Sequence, residues 1–170
     1  RYMPPNRNYS RVFITFNNLS TEKRSYRLNL VARLLEKKLD GHISLNFTDE
    51  QLKAEIFNPN SLLSKPSKHV ILKQLMGRPR LAIDTVDQHG ALSADDNLAT
   101  LAQGLFHIVT ETVFYDSKLH LTEKIFKPIV ARRPFFLVAA PGNLAYLRSY
   151  GFMTFDRWID ESYDSETDPD

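Results

Sequence analysis

The run Phe135–Ala140 constrains the fold of this chain more than any other feature, because every residue in it is apolar. A strand that alternates apolar and polar residues covers one face of a core, whereas a strand that is apolar throughout is buried on both faces. Strands of the second kind occur mainly in parallel sheets that carry helices on each side. The run therefore favours an α/β fold with a mostly parallel sheet.

The N-terminal part of the chain predicts a β-α-β unit. Arg11–Asn17 alternates and is rich in β-branched and aromatic residues, which is typical of a strand. From Arg24 onward, leucine and valine recur at three- and four-residue steps, which predicts an amphipathic helix ended by Gly41 at the C′ position. His42–Phe47 then predicts a second strand, parallel to the first and joined to it by a right-handed crossover.

The rest of the chain continues the alternation of helices and strands. We expect residues 1–170 to form a single domain, with residues 1–10 as an N-terminal arm and residues 160–170 as an acidic tail or a truncated linker. The other predicted elements are a helix at Glu50–Phe57, a helix at His69–Met76, a strand or irregular segment at Leu81–Val86, a helical turn at Leu98–Ala102, a strand at Gly104–Thr112, a helix at Thr122–Ala131, a helix at Asn143–Tyr150 and a strand-like segment at Gly151–Phe155.

Composition excludes several classes of function. The absence of cysteine excludes a disulfide scaffold, a Cys-ligated metal site and a thiol nucleophile. A balance of 22 Lys and Arg against 20 Asp and Glu argues against general nucleic-acid binding. We expect no membrane span, because no apolar run approaches the required length, and no metal, because the five histidines are scattered. The start at Arg1 shows no charged-then-apolar leader, from which we expect a cytoplasmic protein.

In a parallel sheet, ligands bind in the loops that follow the carboxyl ends of the strands. Three loops of this chain qualify, and the third, Pro141–Leu144, is a turn of small residues that serves a ligand or any tight turn equally well. The first loop, Asn17–Arg27, places three cations at the start of a helix, where the helix dipole disfavours positive charge. The cations are Lys23, Arg24 and Arg27. They indicate a bound anion, with phosphate the usual candidate, or alternatively a solvated basic face paired with Glu22.

The second loop, Phe114–Lys127, carries two notable carboxylates at or near its ends. Glu111 comes at the end of a buried strand, where a carboxylate is costly unless its oxygens accept hydrogen bonds. Glu123 follows Thr122, which can act as N-cap, and lies four residues before Lys127, so it also fits an ordinary helix start. Pro128 leaves a second possibility open, in which the helix starts nearer Lys127 and Glu123-Lys124 lies in a turn facing the cleft.

The segment Leu121–Phe155 resembles the donor-binding half of GT-B glycosyltransferases, and is most similar to the alpha-1,3-fucosyltransferase family and to phage and bacterial glycosyltransferases. The resemblance covers about 12–47 and 104–163. It rests on a Glu at a strand end, a Thr-Glu-Lys helix start, an apolar strand after a proline, a Pro-Gly turn, and an Asn followed by an arginine-containing loop. The matching residues are Glu111, Thr122-Glu123-Lys124, Ala131 with Pro134, Pro141-Gly142, and Asn17 with Arg24 and Arg27.

The resemblance implies a Rossmann-like three-layer domain, one half of a GT-B fold, that binds a nucleotide sugar. It implies that Glu111 or Glu123 binds the ribose or the sugar, and that Arg24, Arg27, Lys124 and Lys127 neutralise the diphosphate. Fixed cations and a helix N-terminus can stabilise a departing nucleoside diphosphate without a metal ion or cofactor.

A GT-B enzyme needs a second domain for its acceptor, and 170 residues hold only one. Two hypotheses follow. The chain is the donor-binding domain of a glycosyltransferase, as a fragment or completed by a partner chain, or it is a noncatalytic binding or structural module of the same fold, for instance in a viral or multi-subunit assembly. The sequence leaves open the donor base, the sugar, the acceptor and the catalytic base.

Overall fold

The computed structural model describes residues 9–81 and 98–168. This part of the chain contains four strands, six α-helices and two short 3-10 helices, at Glu22–Arg24 and Ser162–Ser165. The strands and α-helices are, in chain order, β1 (Arg11–Asn17), α1 (Tyr26–Glu36), β2 (Gly41–Leu45), α2 (Asp49–Phe57), α3 (Lys65–Leu75), α4 (Leu98–Leu101), β3 (Gly104–Thr110), α5 (Glu123–Val130), β4 (Phe135–Val138) and α6 (Asn143–Ser149).

The four strands form one sheet in the order β2-β1-β3-β4, and every neighbouring pair is parallel. Ile14 in β1 lies opposite His42 in β2 and His107 in β3, and His107 lies opposite Phe135 in β4. With helices packed against it, this sheet is a Rossmann-like three-layer α/β fold. The predicted fold class is therefore confirmed.

The order of the strands reverses direction at the centre of the sheet. The chain runs from β1 outward to β2 on one side and from β3 outward to β4 on the other. Because parallel crossovers are right-handed, opposite directions put α1 and α5 on opposite faces of the sheet. The crevice between the carboxyl ends of β1 and β3 is then the topological switch point, where folds of this kind bind ligands.

Two separate apolar cores agree with this topology. The first joins β2 to α1, α2 and α3, and the second joins β3 and β4 to α5 and α6. Fully buried members of the first core are Val31, Ala32, Leu45, Leu52, Ile71 and Leu75. The second core contains Val109, Ile125, Phe135, Leu137, Leu144 and Leu147.

The end of α1 differs from the prediction that Gly41 provides its C′ position. The helix ends at Glu36, and Lys38 takes the left-handed conformation at φ 52°, with its N–H donating to Leu35 O at 3.0 Å. Gly41 instead begins β2, where a Cβ atom would lie 2.2 Å from the ring of Phe13. Glycine is needed at position 41 because the ring of Phe13 comes so close to its backbone. The left-handed residue after the end of α1 is Lys38 instead.

Two further segments differ from their predictions. Gly151–Phe155 is irregular, because no strand pairs with it, and it packs through Phe152 and Phe155 against the second core. Of the segment Leu81–Val86, Leu81 forms an isolated antiparallel bridge with Leu45. Residues 82–86 of that segment lie outside the described residues, as does the predicted N-terminal arm before Tyr9.

The acidic C-terminal segment packs against the second core as far as the structure describes it. The hydroxyl of Tyr163 accepts a hydrogen bond from the N–H of Leu137 in the edge strand β4, at 3.3 Å. Glu161 accepts hydrogen bonds from Arg148, Thr154 and the N–H of Phe155, all at 2.7–2.8 Å. The Tyr163 contact satisfies a backbone N–H of the edge strand β4 that would otherwise lack a partner in the sheet.

The longest helices within residues 9–81 and 98–168 have 11 residues, and none of the helices described there has the length and apolar character needed to cross a membrane.

Candidate functional site

Most of the predicted site residues meet at the topological switch point. Asn17 ends β1, Glu111 directly follows β3, and Thr122 caps the start of α5. Arg27 enters from the first turn of α1, and Lys124 from the first turn of α5. The parallel sheet brings these elements to one edge because β1 and β3 are neighbours with the same direction.

The centre of the site is the buried carboxylate of Glu111. Its Oε2 accepts a hydrogen bond from the Thr122 hydroxyl at 2.6 Å, and its Oε1 accepts one from the Thr122 N–H at 3.1 Å. Lys124 Nζ lies 3.9 Å from Oε2. The side chain of Glu111 is completely buried, so these contacts provide the hydrogen bonds that such a carboxylate requires.

Lys124 is held by two threonine hydroxyls. Its Nζ donates to Thr112 Oγ1 at 3.1 Å and to Thr122 Oγ1 at 3.2 Å. Burial lowers the pKa of Lys124, Glu111 and Glu123 oppose that shift, and the charges of Arg27 and Arg24 add to it.

Arg24 is the least constrained cation of this group. Its side chain is half-buried and, within the described part of the chain, forms no hydrogen bond or ion pair. Its positive charge contributes to the lowered pKa of Lys124. Lys23 is exposed, and no ion pair joins Glu22 to a cation among the residues described. Glu22 instead donates its N–H to Glu55 at 3.1 Å.

Arg27 is buried, and its guanidinium donates hydrogen bonds to acceptors of the protein itself. It donates to Leu19 O at 2.7 Å, to Thr110 O at 3.1 Å and to Glu111 O at 3.0 Å. Its Nε also donates to the hydroxyl of Tyr26, which itself donates to Glu111 O. Four of the five N–H groups of the guanidinium therefore have partners, and they tie the first loop to the end of β3.

Asn17 also makes its contacts inside the protein. It is fully buried, accepts a hydrogen bond from Thr110 Oγ1 at 3.0 Å and donates to Thr15 Oγ1 at 3.1 Å. Its backbone N–H donates to Ser44 Oγ at 3.2 Å. The side chain thus links the ends of β1 and β3 and fixes the width of the crevice.

The two remaining predicted residues lie on α5. The helix begins at Glu123 with Thr122 as N-cap, so the alternative of a later start near Lys127 is not what the structure shows. Glu123 is exposed, and it does not form an ion pair with Lys127. Lys127 lines, with Lys124, a small apolar pocket of about 70 Å³ against β1 and β3.

A cleft of about 450 Å³ adjoins the switch point. Its walls come from Phe114–Ser117, from the residues after β4 and from residues 166–168. The Tyr115 hydroxyl lies 3.4 Å from Ser25 Oγ, next to Arg24, and this contact connects the cleft to the cations. Its size is within the range of small-molecule sites. The sequence reasoning did not identify Tyr26, Thr112 or Tyr115, although the aromatic pair directly after Glu111-Thr112-Val113 was a signal that could have been used.

The third predicted loop is filled by the chain itself. The carboxylate of Asp164 accepts hydrogen bonds from the N–H groups of Leu144 at 2.9 Å and Ala145 at 3.1 Å, and Asp164 O accepts one from Gly142 at 2.7 Å. The start of α6 therefore has its anion already, supplied by the acidic C-terminal segment.

In residues 9–81 and 98–168, no three His, Cys, Asp or Glu side chains are grouped so that they could hold a metal ion. The chemistry that the arrangement offers is anion binding: a half-buried lysine and an arginine beside a helix N-terminus and a cleft. Comparisons with protein-family models, curated protein sequences and solved structures find no significant match to this chain.

Proposed function

We propose that this domain binds the diphosphate of a nucleotide sugar at the switch point and acts as the donor-binding domain of a glycosyltransferase. One observation carries the proposal: the loop after β1 brings Arg24, and the start of α5 brings Lys124, to the same carboxyl edge of the sheet, and the side chain of Arg24 has no hydrogen-bond or ion-pair partner among the described residues. Two cations that repel each other there are stabilised by an anion between them.

The neighbouring groups support a phosphate in particular. The start of α5 adds the positive end of a helix dipole, and the hydroxyls of Thr112 and Thr122 orient Lys124. When a glycosidic bond to a nucleoside diphosphate breaks, negative charge grows on the departing phosphate. Cations that are already fixed stabilise that charge without further reorganisation.

Five of the predicted site residues take one of two roles under this proposal. Arg24 and Lys124 contact the diphosphate, and Lys127 lies one turn further along α5. Arg27, Asn17 and Glu111 are positioning residues, because their polar groups are used by the protein. The cleft beside Tyr115 has room for the nucleoside or the sugar.

A calorimetric titration of the full chain with GDP, UDP, ADP, TDP and CMP tests the proposal. We expect saturable binding of one nucleoside diphosphate, weakened by about 1.5–3 kcal/mol in Arg24→Ala and in Lys124→Met, the expected loss of a charged hydrogen bond. Lys37→Ala, an exposed lysine after α1, is the matched control and should bind as the original chain does. Two results would refute the phosphate site: no binding at millimolar nucleotide, or binding by both variants that is as tight as that of the original chain.

The noncatalytic module is the second candidate, and it is favoured by the contacts of Glu111, whose two oxygens both accept hydrogen bonds from Thr122. A carboxylate held in this way is not available as a general base in the arrangement seen here. Nucleotide binding without transfer or hydrolysis of the sugar, also after addition of an acceptor-binding partner, would support this candidate.

A further inference from the structure

A second large cleft lies away from the switch point. It measures about 730 Å³ and is lined by residues of 129–135 and 148–158. Pro134 and Phe135 place it at the amino end of β4, whereas the candidate donor site lies at the carboxyl ends of β1 and β3. A ligand in this cleft would be separate from the nucleotide.

The rim of this cleft exposes large apolar side chains. Met153 is 90% exposed and Trp158 is 78% exposed, and the floor is made of the half-buried or buried rings of Phe135, Phe152 and Phe155. We call Arg132, Met153, Arg157 and Trp158 the Trp158 surface. Exposed apolar patches with a polar rim mark sites of protein interaction.

The charges of the cleft are mainly positive. Four arginines and one aspartate, Asp156, line it, and no lysine does. Arg133 is buried and donates to Ala102 O at 3.2 Å, and the charge of Arg148 is balanced by Glu161 at 2.8 Å. Arg132 and Arg157 are exposed on the Trp158 surface and give it a positive field.

The backbone of Arg132 makes glycine a suitable replacement for testing its side chain. The residue follows the end of α5 in the left-handed region, at φ 53°, where glycine is the usual occupant. An arginine there carries a steric cost that glycine does not. The strained backbone carries the guanidinium next to the cleft.

We propose that the Trp158 surface binds a protein partner that presents carboxylate side chains around an apolar side chain. Protein interfaces are enriched in tryptophan, methionine and arginine and depleted of lysine. The arginines are complementary in charge to the carboxylates of the partner, and the apolar floor of the cleft can receive its apolar side chain. A nucleic acid fits less well, because the phenylalanine floor offers nothing to phosphate and the whole chain carries a net charge of only +2.

The fluorescence of Trp158 reports binding directly, because it is the single tryptophan of the chain. The probe is a synthetic peptide that alternates glutamate with leucine and phenylalanine, and its matched control has glutamine in place of glutamate. We expect the acidic peptide to shift the emission to shorter wavelength and to protect it from acrylamide quenching. It should bind at least about tenfold more tightly than the glutamine control.

Two variants separate binding from folding. Arg132→Gly removes the charge at a position where glycine suits the backbone, and Arg157→Gln removes the second charge at an exposed position. Each should weaken the acidic peptide about tenfold, measured by the same fluorescence titration, while nucleotide binding at the switch point is unchanged. Lys118→Gln, an exposed cation of the loop before α5, should leave peptide binding unchanged.

Four outcomes would overturn the proposal. The first is an unchanged spectrum at about 1 mM acidic peptide, a limit of weak affinity. The second is an equal response to the glutamine control. The third is tighter binding of a single-stranded oligonucleotide than of the acidic peptide, and the fourth is a shift on raising the protein concentration alone, which would assign the surface to a second copy of the chain.

Discussion

Glu111, at the carboxyl end of β3, holds Thr122, at the start of α5, by two hydrogen bonds of 2.6 Å and 3.1 Å. The same carboxylate lies 3.9 Å from Nζ of Lys124. One buried side chain therefore fixes the helix start and the position of the cation beside it. Glu111 therefore shapes the candidate anion site through its contacts inside the protein.

We expect Glu111→Gln to lower the free energy of unfolding by about 1–3 kcal/mol, the cost of an unsatisfied buried group. A glutamine amide offers one acceptor oxygen where the N–H and the hydroxyl of Thr122 both donate. Urea unfolding measures the loss. Glu123→Gln, one residue after Thr122 but exposed, is the matched control and should change stability little. Equal effects of the two substitutions would show that the buried contact is not what stabilises the turn.

Arg27→Lys should destabilise the domain by about 2–3 kcal/mol, because an ammonium cannot reproduce the planar fork that reaches Leu19, Thr110 and Glu111. Arg24→Lys provides the comparison and should leave stability unchanged, since the side chain of Arg24 has no hydrogen-bond partner among the described residues. Unfolding in urea distinguishes the two. A stable Arg27→Lys protein that loses nucleotide binding would instead assign Arg27 to the ligand.

His107 should make stability dependent on pH. Burial in β3 lowers its pKa from 6.5 to about 4, against an opposing hydrogen bond to Leu101 O, and Arg133 lowers it further. Between pH 4 and pH 6.5 the imidazole of His107 binds a proton in the unfolded chain but not in the folded protein. The contribution of neutral His107 to the free energy of unfolding is therefore complete above pH 6.5 and is lost as the pH falls towards 4. We expect a loss of about 2–3 kcal/mol relative to His107→Gln, measured by urea unfolding from pH 7 to pH 4. Parallel curves for the two proteins would contradict this.

Arg132→Gly and Lys38→Gly should each stabilise the domain by up to about 1 kcal/mol. Both residues follow a helix end with positive φ, at 53° and 52°. Glycine relieves the steric contact of Cβ, and its larger entropy in the unfolded chain offsets part of the gain. Thermal unfolding measures the change. Gly151→Ala tests the opposite direction: φ is 86° and the added Cβ meets no atom within 4 Å, so backbone strain alone should destabilise it.

The sequence predicted the fold class and most elements because these follow from local patterns. The apolar run at Phe135–Ala140 indicated a buried parallel strand, and β4 is found at Phe135–Val138. The predicted helix at Thr122–Ala131 is α5, with Thr122 as its N-cap despite Pro128. Periodicity did not place the end of α1, because glycine at position 41 is required by the ring of Phe13, a residue remote in sequence.

For the site, the sequence by itself determined which residues stand at the carboxyl ends of strands, since the order of strand, loop and helix fixes that edge of a parallel sheet. Only the tertiary structure decided what each side chain does there. Arg27 and Arg24 look alike in the sequence, yet the guanidinium of Arg27 donates to the backbone carbonyl groups of Thr110 and Glu111, while the side chain of Arg24 has no hydrogen-bond or ion-pair partner among the described residues. The physical reason is that the carbonyl partners of Arg27 lie more than 80 residues further along the chain. Whether they come within hydrogen-bond distance of the guanidinium depends on how β1 and β3 pair.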